Sequence, residues 1–253
     1  MATVISVSNQ KGGVGKTTTA CSIAAGLKKK GFRVLAVDLD PQGNLGFSIG
    51  ADTETSATIY DVLKGEVKIQ YAVQKLPAMD IIISSILLSG IEIEFTGIGR
   101  EFLMKEALRP LMPLYDYIII DTPPALGILT INAFTASNFI IVPMLSDIFS
   151  LQGIAQLYET VIRVKKYSNP NIAIAGIVLT KFNKRTVLGR EIRGTAELIA
   201  NDLHIHIFDT CIRSSVAASE AQSVQKSIFD YAPRNNIAKD YKSLIGELMA
   251  RGV

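Results

Sequence analysis

The segment Ser8-Asn9-Gln10-Lys11-Gly12-Gly13-Val14-Gly15-Lys16-Thr17-Thr18 concentrates the residue types that bind phosphate. Glycines at 12, 13 and 15 let the backbone curl so that successive N–H groups converge on an anion. The apolar run Val4–Val7 precedes the segment, and a helix-period stretch begins at Lys16. The positive end of that helix adds to the same anion site. In this strand–loop–helix context Lys16 is placed for the β- and γ-phosphates of a nucleoside triphosphate, and the Thr17 hydroxyl for Mg²⁺. The pattern G-x-x-x-x-G-K-[ST] would put its first glycine at position 10, where this chain has Gln10 followed by Lys11. Two lysines do not obviously serve one set of phosphates. Lys11 makes sense if it crosses to a nucleotide on another subunit, where a cation supplied in trans stabilises the charge of phosphoryl transfer.

Three carboxylates sit where such chemistry needs them. Asp38 and Asp40 follow the run Val34–Val37, and Asp121 closes Tyr117–Ile120. Ligands of open α/β sheets bind outside the carboxyl ends of the strands. Residues two apart in a strand point the same way, so Asp38 and Asp40 could both face the phosphates. The alternative for Asp38 is a cap on the turn before Pro41. Mg²⁺ keeps several of its waters, so one carboxylate is expected to act through a water.

Alternating elements must position these groups. The runs Val4–Val7, Val34–Val37, Ile81–Ile83, Tyr117–Ile120, Phe139–Val142 and Ile172–Leu179 are apolar on both faces, as in a parallel sheet covered on both sides. Helical periodicity is read at Lys16–Lys30, Gly99–Arg109, Thr130–Ala136, Leu151–Lys166, Thr186–Asn201 and Ala238–Arg251. The expected fold is α/β: a doubly wound, mostly parallel sheet with helices on both faces. No linker, repeat or low-complexity stretch interrupts the chain, so residues 1–253 are expected to form a single domain.

Composition narrows the function classes. With 48% hydrophobic and 19% charged residues the chain is not of the disordered type, and 19 Gly with 9 Pro exclude a collagen-like one. The two cysteines, Cys21 and Cys211, make no disulfide framework, and His204 and His206, alternating with Ile205 and Ile207 as in a strand, make no metal site. The N-terminal run reads as a strand rather than a leader, and no apolar run approaches the ~20 residues of a membrane span. In the last helical segment Tyr241, Leu244, Ile245 and Leu248 read as core rather than lipid contacts. A cytoplasmic protein with no membrane partner is expected. The net charge of +3 does not announce nucleic acid by itself. Clustering does: Lys181, Lys184, Arg185, Arg190 and Arg193 fall within one stretch that holds only Glu191 against them. Doubling that patch by pairing two chains would make a salt-sensitive DNA binder.

The boxes Lys11–Thr18, Val34–Asn44 and Tyr117–Pro124 together resemble the ParA/MinD ATPases with a deviant Walker A motif, and Leu129–Ala133 and Ser227–Pro233 resemble the chromosome and plasmid partition (ParA/Soj) branch. The resemblance spans essentially the whole chain. It implies a P-loop fold, ATP and Mg²⁺, and a nucleotide held by Lys11, Gly12, Gly13, Val14, Gly15, Lys16, Thr17 and Thr18. Lys11, Lys16 and Asp40 would be catalytic, with Asp40 positioning the attacking water. Thr17, Asp40 and Asp121 would hold the metal. Adenine would lie against Thr180–Phe182, Arg213–Ser215 and Asp230–Pro233, with Arg213, Ser215 and Pro233 in contact. The partners implied are a second copy (a homodimer on ATP binding), non-specific double-stranded DNA and a ParB-like centromere-binding protein, with a nucleoid-associated location. DNA would meet Lys181, Lys184, Arg185, Arg190, Arg193 and Arg213; Ala217 stands where relatives carry a second DNA-binding arginine. The alternative within the family is a MinD-like or cargo-positioning ATPase acting on membrane or protein complexes. A metabolic P-loop synthetase is a third class, for which the sequence offers no small-molecule motif.

Overall fold

Strands that are apolar at odd and even positions alike leave no face for water, and both faces must be covered. The computed structural model, which describes the backbone of residues 1–253 and all side chains except those of residues 92 and 148–152, shows how. Strands β1 (Thr3–Val7), β2 (Val34–Asp38), β3 (Gln74–Lys75), β4 (Asp80–Ile82), β5 (Tyr117–Asp121), β6 (Phe139–Leu145) and β7 (Ala173–Thr180) form one sheet. The order is β3-β4-β2-β5-β1-β6-β7, parallel throughout except for the β3–β4 edge.

Helices α1 (Lys16–Lys29), α2 (Asn44–Ser48), α3 (Ile59–Leu63), α4 (Ile91–Glu94), α5 (Leu103–Leu108), α6 (Ile128–Ala136), α7 (Ile148–Tyr167), α8 (Val187–Asp202), α9 (Val216–Ser223), α10 (Ile228–Tyr231) and α11 (Asn236–Ala250) complete the fold. Strand residues Val4, Leu35, Val37, Ile118, Ile120 and Ile140 pack with α3, α5, α6, α7 and α8 in one core. Their alternates Ile5, Val7, Val34, Ala36, Ile119 and Ile141 pack with α1, α2, α9, α10 and α11 in the other. The period-2 alternation of a strand thus divides one apolar run between two cores. Each fully buried Ile, Leu or Val contributes roughly 1.5–3 kcal/mol, which is why these strands tolerate almost no polar residue.

Close packing of α1 on α10 and α11 requires a glycine. A Cβ on Gly26 would collide with Ile245 Cδ1 and stand 3.0 Å from Phe229 Cε2, and both side chains are buried. Overpacking costs about 1–3 kcal/mol, while alanine's helix propensity returns about 1 kcal/mol. Gly26→Ala is therefore expected to lower the urea midpoint of unfolding with an unchanged slope. A midpoint that rises would show that α11 yields freely.

All six apolar runs read as strands are strands, with ends that differ by up to three residues. The structure departs from the sequence reading in four places. The edge strand β3 is too short to carry a period. The stretch Gly99–Arg109 is a 3₁₀ turn at Arg100–Phe102 followed by α5. The short helices α2, α3, α4, α9 and α10 lie in segments left as loops. His204–Ile207 is not a strand: His204, at φ 54°, follows the end of α8, and only Ile207 bridges to Ile177 of β7. Among the described residues no helix is long and apolar enough to cross a membrane.

Candidate functional site

The loop after β1 is pinned from outside so that its inner face stays open. Asn9 donates to Pro143 O (2.6 Å) and accepts from Lys11 N (3.0 Å). Thr180 Oγ1 donates to Val14 O (2.8 Å), Lys181 Nζ to Gly13 O (3.2 Å) and Lys16 Nζ to Lys11 O (3.2 Å). Gly13 and Gly15 take φ of 72° and 86°, which only glycine adopts without strain, and no described atom beyond the adjoining residues lies within 4 Å of a Cβ built on Gly12, Gly13 or Gly15. Gly15 is the N-cap of α1 and no side chain caps that helix, so its first N–H groups point into the loop without a side-chain acceptor. This is an anion cradle by construction. Burial lowers the Lys16 ammonium pKa, and Asp121 and Asp40 raise it back in part.

A cavity of about 620 Å³ opens over the cradle. Its walls are the loop from Gly12 to Thr18, Asp40 and α2, Thr180–Lys181, Arg213–Ser215, and α9 and α11 through Ser219, Gln222, Ile237 and Tyr241. Of the predicted contacts, Arg213 and Ser215 line it, whereas Pro233 is exposed and lies outside the lining residues. Asp230, in the same predicted segment, pairs with Lys29 (2.6 Å).

The carboxylates divide by side. Asp40 lies on the cavity wall, its Oδ1 accepting Gln42 N–H (3.1 Å). Asp38 does not line the cavity. It is fully buried and accepts the N–H groups of Asp40 (3.2 Å), Leu45 (3.0 Å) and Gly46 (3.2 Å), so it caps α2. The capping alternative holds for it because β2 ends at Asp38 and the two-residue rule of strands no longer governs Asp40. Asp121 pairs in register with Asp38 across β2–β5 and with Val7 across β1–β5, directly beneath the loop. Both of its carboxylate oxygens are buried, and among the described residues neither has a hydrogen-bond partner of standard geometry. Burial pushes its pKa well above the usual carboxylate range, the charge of Asp38 adds to that, and the Thr17 hydroxyl and Lys16 offset part of it.

A buried carboxylate with two orphaned oxygens, beside a hydroxyl at the foot of an anion cradle, suits a divalent cation, which would reverse this shift. Among the described residues no group of three or more His, Cys, Asp or Glu side chains forms a self-sufficient metal site. Such a cation would therefore depend on phosphate and water for its remaining ligands.

Lys11 stands at the loop mouth, its Nζ 2.6 Å from Asp147 Oδ2 just beyond β6. Sequence reasoning missed Asp147, although the rule that marked Asp38, Asp40 and Asp121, proximity to the carboxyl end of a parallel strand, marks it equally. Gln222 was missed too. Its amide donates to Thr18 Oγ1 (3.2 Å), and nothing in the pattern of α9 points to it.

The predicted basic cluster is not uniform. Lys181 belongs to the cradle. Arg193 is paired with Glu197 (2.7 Å) and Asp209 (3.7 Å), and Arg213 with Asp240 (2.6 Å). Lys184, Arg185 and Arg190 meet no carboxylate among the described residues. They line, with Arg193 and Arg213, a second cleft of about 880 Å³ beside the first. Ala217 is buried at the start of α9.

The chain matches the family model described as an AAA domain over residues 2–174. It is 39% identical to the sporulation initiation inhibitor protein Soj of Bacillus subtilis over 100% of both chains. It is 38% identical to the chromosome partitioning protein ParA of Caulobacter vibrioides, covering 98% of this chain and 94% of that one. Among solved structures, a protein described as cobyrinic acid a,c-diamide synthase from Mycobacterium smegmatis, with bound ATP analogue and magnesium, is similar at a TM-score of 0.88 and 31% identity, covering 100% of this chain and 96% of that one.

Proposed function

Because the chain belongs to the Soj/ParA partition proteins of the ParA/MinD ATPase family, we propose that it is an ATP-driven dimerising switch for chromosome or plasmid partition. In this reading residues 1–253 act as one ATPase domain. The ATP-bound form pairs two copies and holds double-stranded DNA without sequence preference. A ParB-like centromere-binding protein stimulates hydrolysis and so releases the DNA, giving a cytoplasmic, nucleoid-associated cycle.

The observation that carries the reading is the division of labour between two lysines. Lys16 is folded back onto the cradle, whereas Lys11 is at the mouth on Asp147. A lysine in that place can reach across to a second copy. The cradle N–H groups and Lys16 would hold the triphosphate, and Asp40 would orient the attacking water. Thr17, Asp40 and Asp121 would hold Mg²⁺, which when bound neutralises charge on the phosphate oxygens. Each site lacks its trans cation until dimers form, so the intrinsic rate should be low.

Retardation of a random-sequence duplex over a salt series tests the DNA arm. Binding is expected to be far tighter with a non-hydrolysable ATP analogue than without it. Replacing Lys184 and Arg185 by alanine should reduce the salt slope by about one per lost phosphate contact. An unchanged slope would remove the basic cleft from the DNA interface.

The likeness to the Mycobacterium smegmatis synthase favours a second reading, an ATP-dependent metabolic synthetase. Turnover stimulated by DNA with its partner protein, and by no metabolite, would exclude it.

A further inference from the structure

We propose that the Arg213–Asp240 ion pair couples filling of the nucleotide cavity to the anion affinity of the neighbouring basic cleft. The inference rests on the reading just given, with ATP in the first cavity and DNA at the second. It adds a regulatory contact at Arg213, which lines both cavities.

The two cavities share a wall. Arg213 and Ser214 line both. Asp240 lines the cleft, while Ile237 and Tyr241, three residues before it and one after it on α11, line the nucleotide cavity. The carboxylate of Asp240 accepts three hydrogen bonds from Arg213: from the main-chain N (3.1 Å), Nε (2.9 Å) and Nη2 (2.6 Å). Such a forked pair fixes orientation as well as distance. It ties the 212–215 loop to α11, and the loop is in turn bonded to the start of the basic segment through Phe182 N–H to Ile212 O (2.9 Å).

A ligand shifts a protein only by interacting differently with its two states. A nucleotide entering between Ser215 and α11 presses on the two elements that the fork joins. The Asp240 side chain is 11% exposed and that of Arg213 50%, so the anion is the fixed partner and the guanidinium the movable one. With the fork closed, the charge of Arg213 is held at Asp240. With the wall displaced, the guanidinium turns into the cleft it already lines, beside three cations that pair with no carboxylate among the described residues. The other paired arginine of the cleft, Arg193, does not line the nucleotide cavity and serves as the internal control.

The test is DNA affinity for a random duplex with and without a non-hydrolysable ATP analogue, expressed as a ratio, with the dimer fraction followed by light scattering. Asp240→Asn and Glu197→Gln each remove one negative charge from the cleft, so both should tighten DNA binding. Only Asp240→Asn should lower the ratio, by about fivefold or more, the low end for coupled sites. Arg213→Gln should lower it too, and the double variant D240N/R213Q should be no worse than R213Q alone. Equal ratios for Asp240→Asn and Glu197→Gln at matched dimer fractions overturn the proposal. Should Asp240→Asn fail to fold, Arg213→Lys keeps the charge and loses the fork, and an unchanged ratio there overturns it as well. Failure of the wild-type protein to bind nucleotide would instead sink the functional reading on which this rests.

Discussion

Asp40→Ala is expected to lower ATP turnover by about 10²–10⁴-fold, the usual worth of a positioned acid–base group, while leaving ATP binding in place. Asp40 is on the wall of the nucleotide cavity, 9% exposed, with one oxygen engaged by Gln42 N–H. A group that acts on the attacking water contributes in the transition state and little in the ground state, so kcat should fall without a rise in KM. Single-turnover kinetics and titration of a fluorescent ATP separate the two. Loss of binding together with turnover would show that its part in holding the metal or the loop outweighs its part in positioning the water. Asp38→Asn gives the contrast. Asp38 accepts three backbone N–H groups in a fully buried place, and the amide that replaces it presents a donor to at least one of them. Leaving a buried donor unpaired costs about 1–3 kcal/mol, so this variant should lose stability first. Two carboxylates two positions apart in sequence would then have opposite phenotypes.

That contrast marks the limit of what the residues alone convey. Apolar runs on both strand faces, glycines at 12, 13 and 15 and the carboxylates at strand ends were legible, because each depends on local spacing or on the end of one element. Which carboxylate faces the cavity was not, since it depends on where β2 stops twisting as a strand. Long-range pairing was equally hidden. Lys11 meets Asp147 over 136 residues and Arg213 meets Asp240 over 27, and no periodicity connects either pair. The basic stretch from Lys181 to Arg193 therefore read as one patch. In space it is a cradle lysine, a paired arginine and three cations that meet no carboxylate among the described residues. The short helices were missed for a different reason: the four or five residues of α2, α3, α4 and α10 make little more than one turn, and the eight of α9 barely more than two, too few for an apolar stripe to repeat.

Lys11→Ala should leave ATP bound but abolish ATP-dependent dimers, and should reduce stimulated turnover by about 10³–10⁵-fold, the range for a cation supplied in trans to a transferring phosphoryl group. The structure adds a condition to this expectation. Within a single chain Lys11 is held by Asp147 at 2.6 Å, so it must exchange one anion for another before it can serve a second copy. Both side chains are about a third exposed, at 31% each, and a pair so placed is worth no more than about 1 kcal/mol. The exchange is therefore cheap, yet it is not free. Asp147→Ala should shift the ATP concentration for half-maximal dimerisation downward, by up to about fivefold for that energy. Light scattering at several ATP concentrations reads both variants on one scale. Opposite shifts for Lys11→Ala and Asp147→Ala place the two residues on the two sides of one exchange. Dimerisation unchanged in Lys11→Ala would show that the lysine belongs to the chain's own site, and that the cation at the loop mouth holds β6 rather than a partner's phosphate.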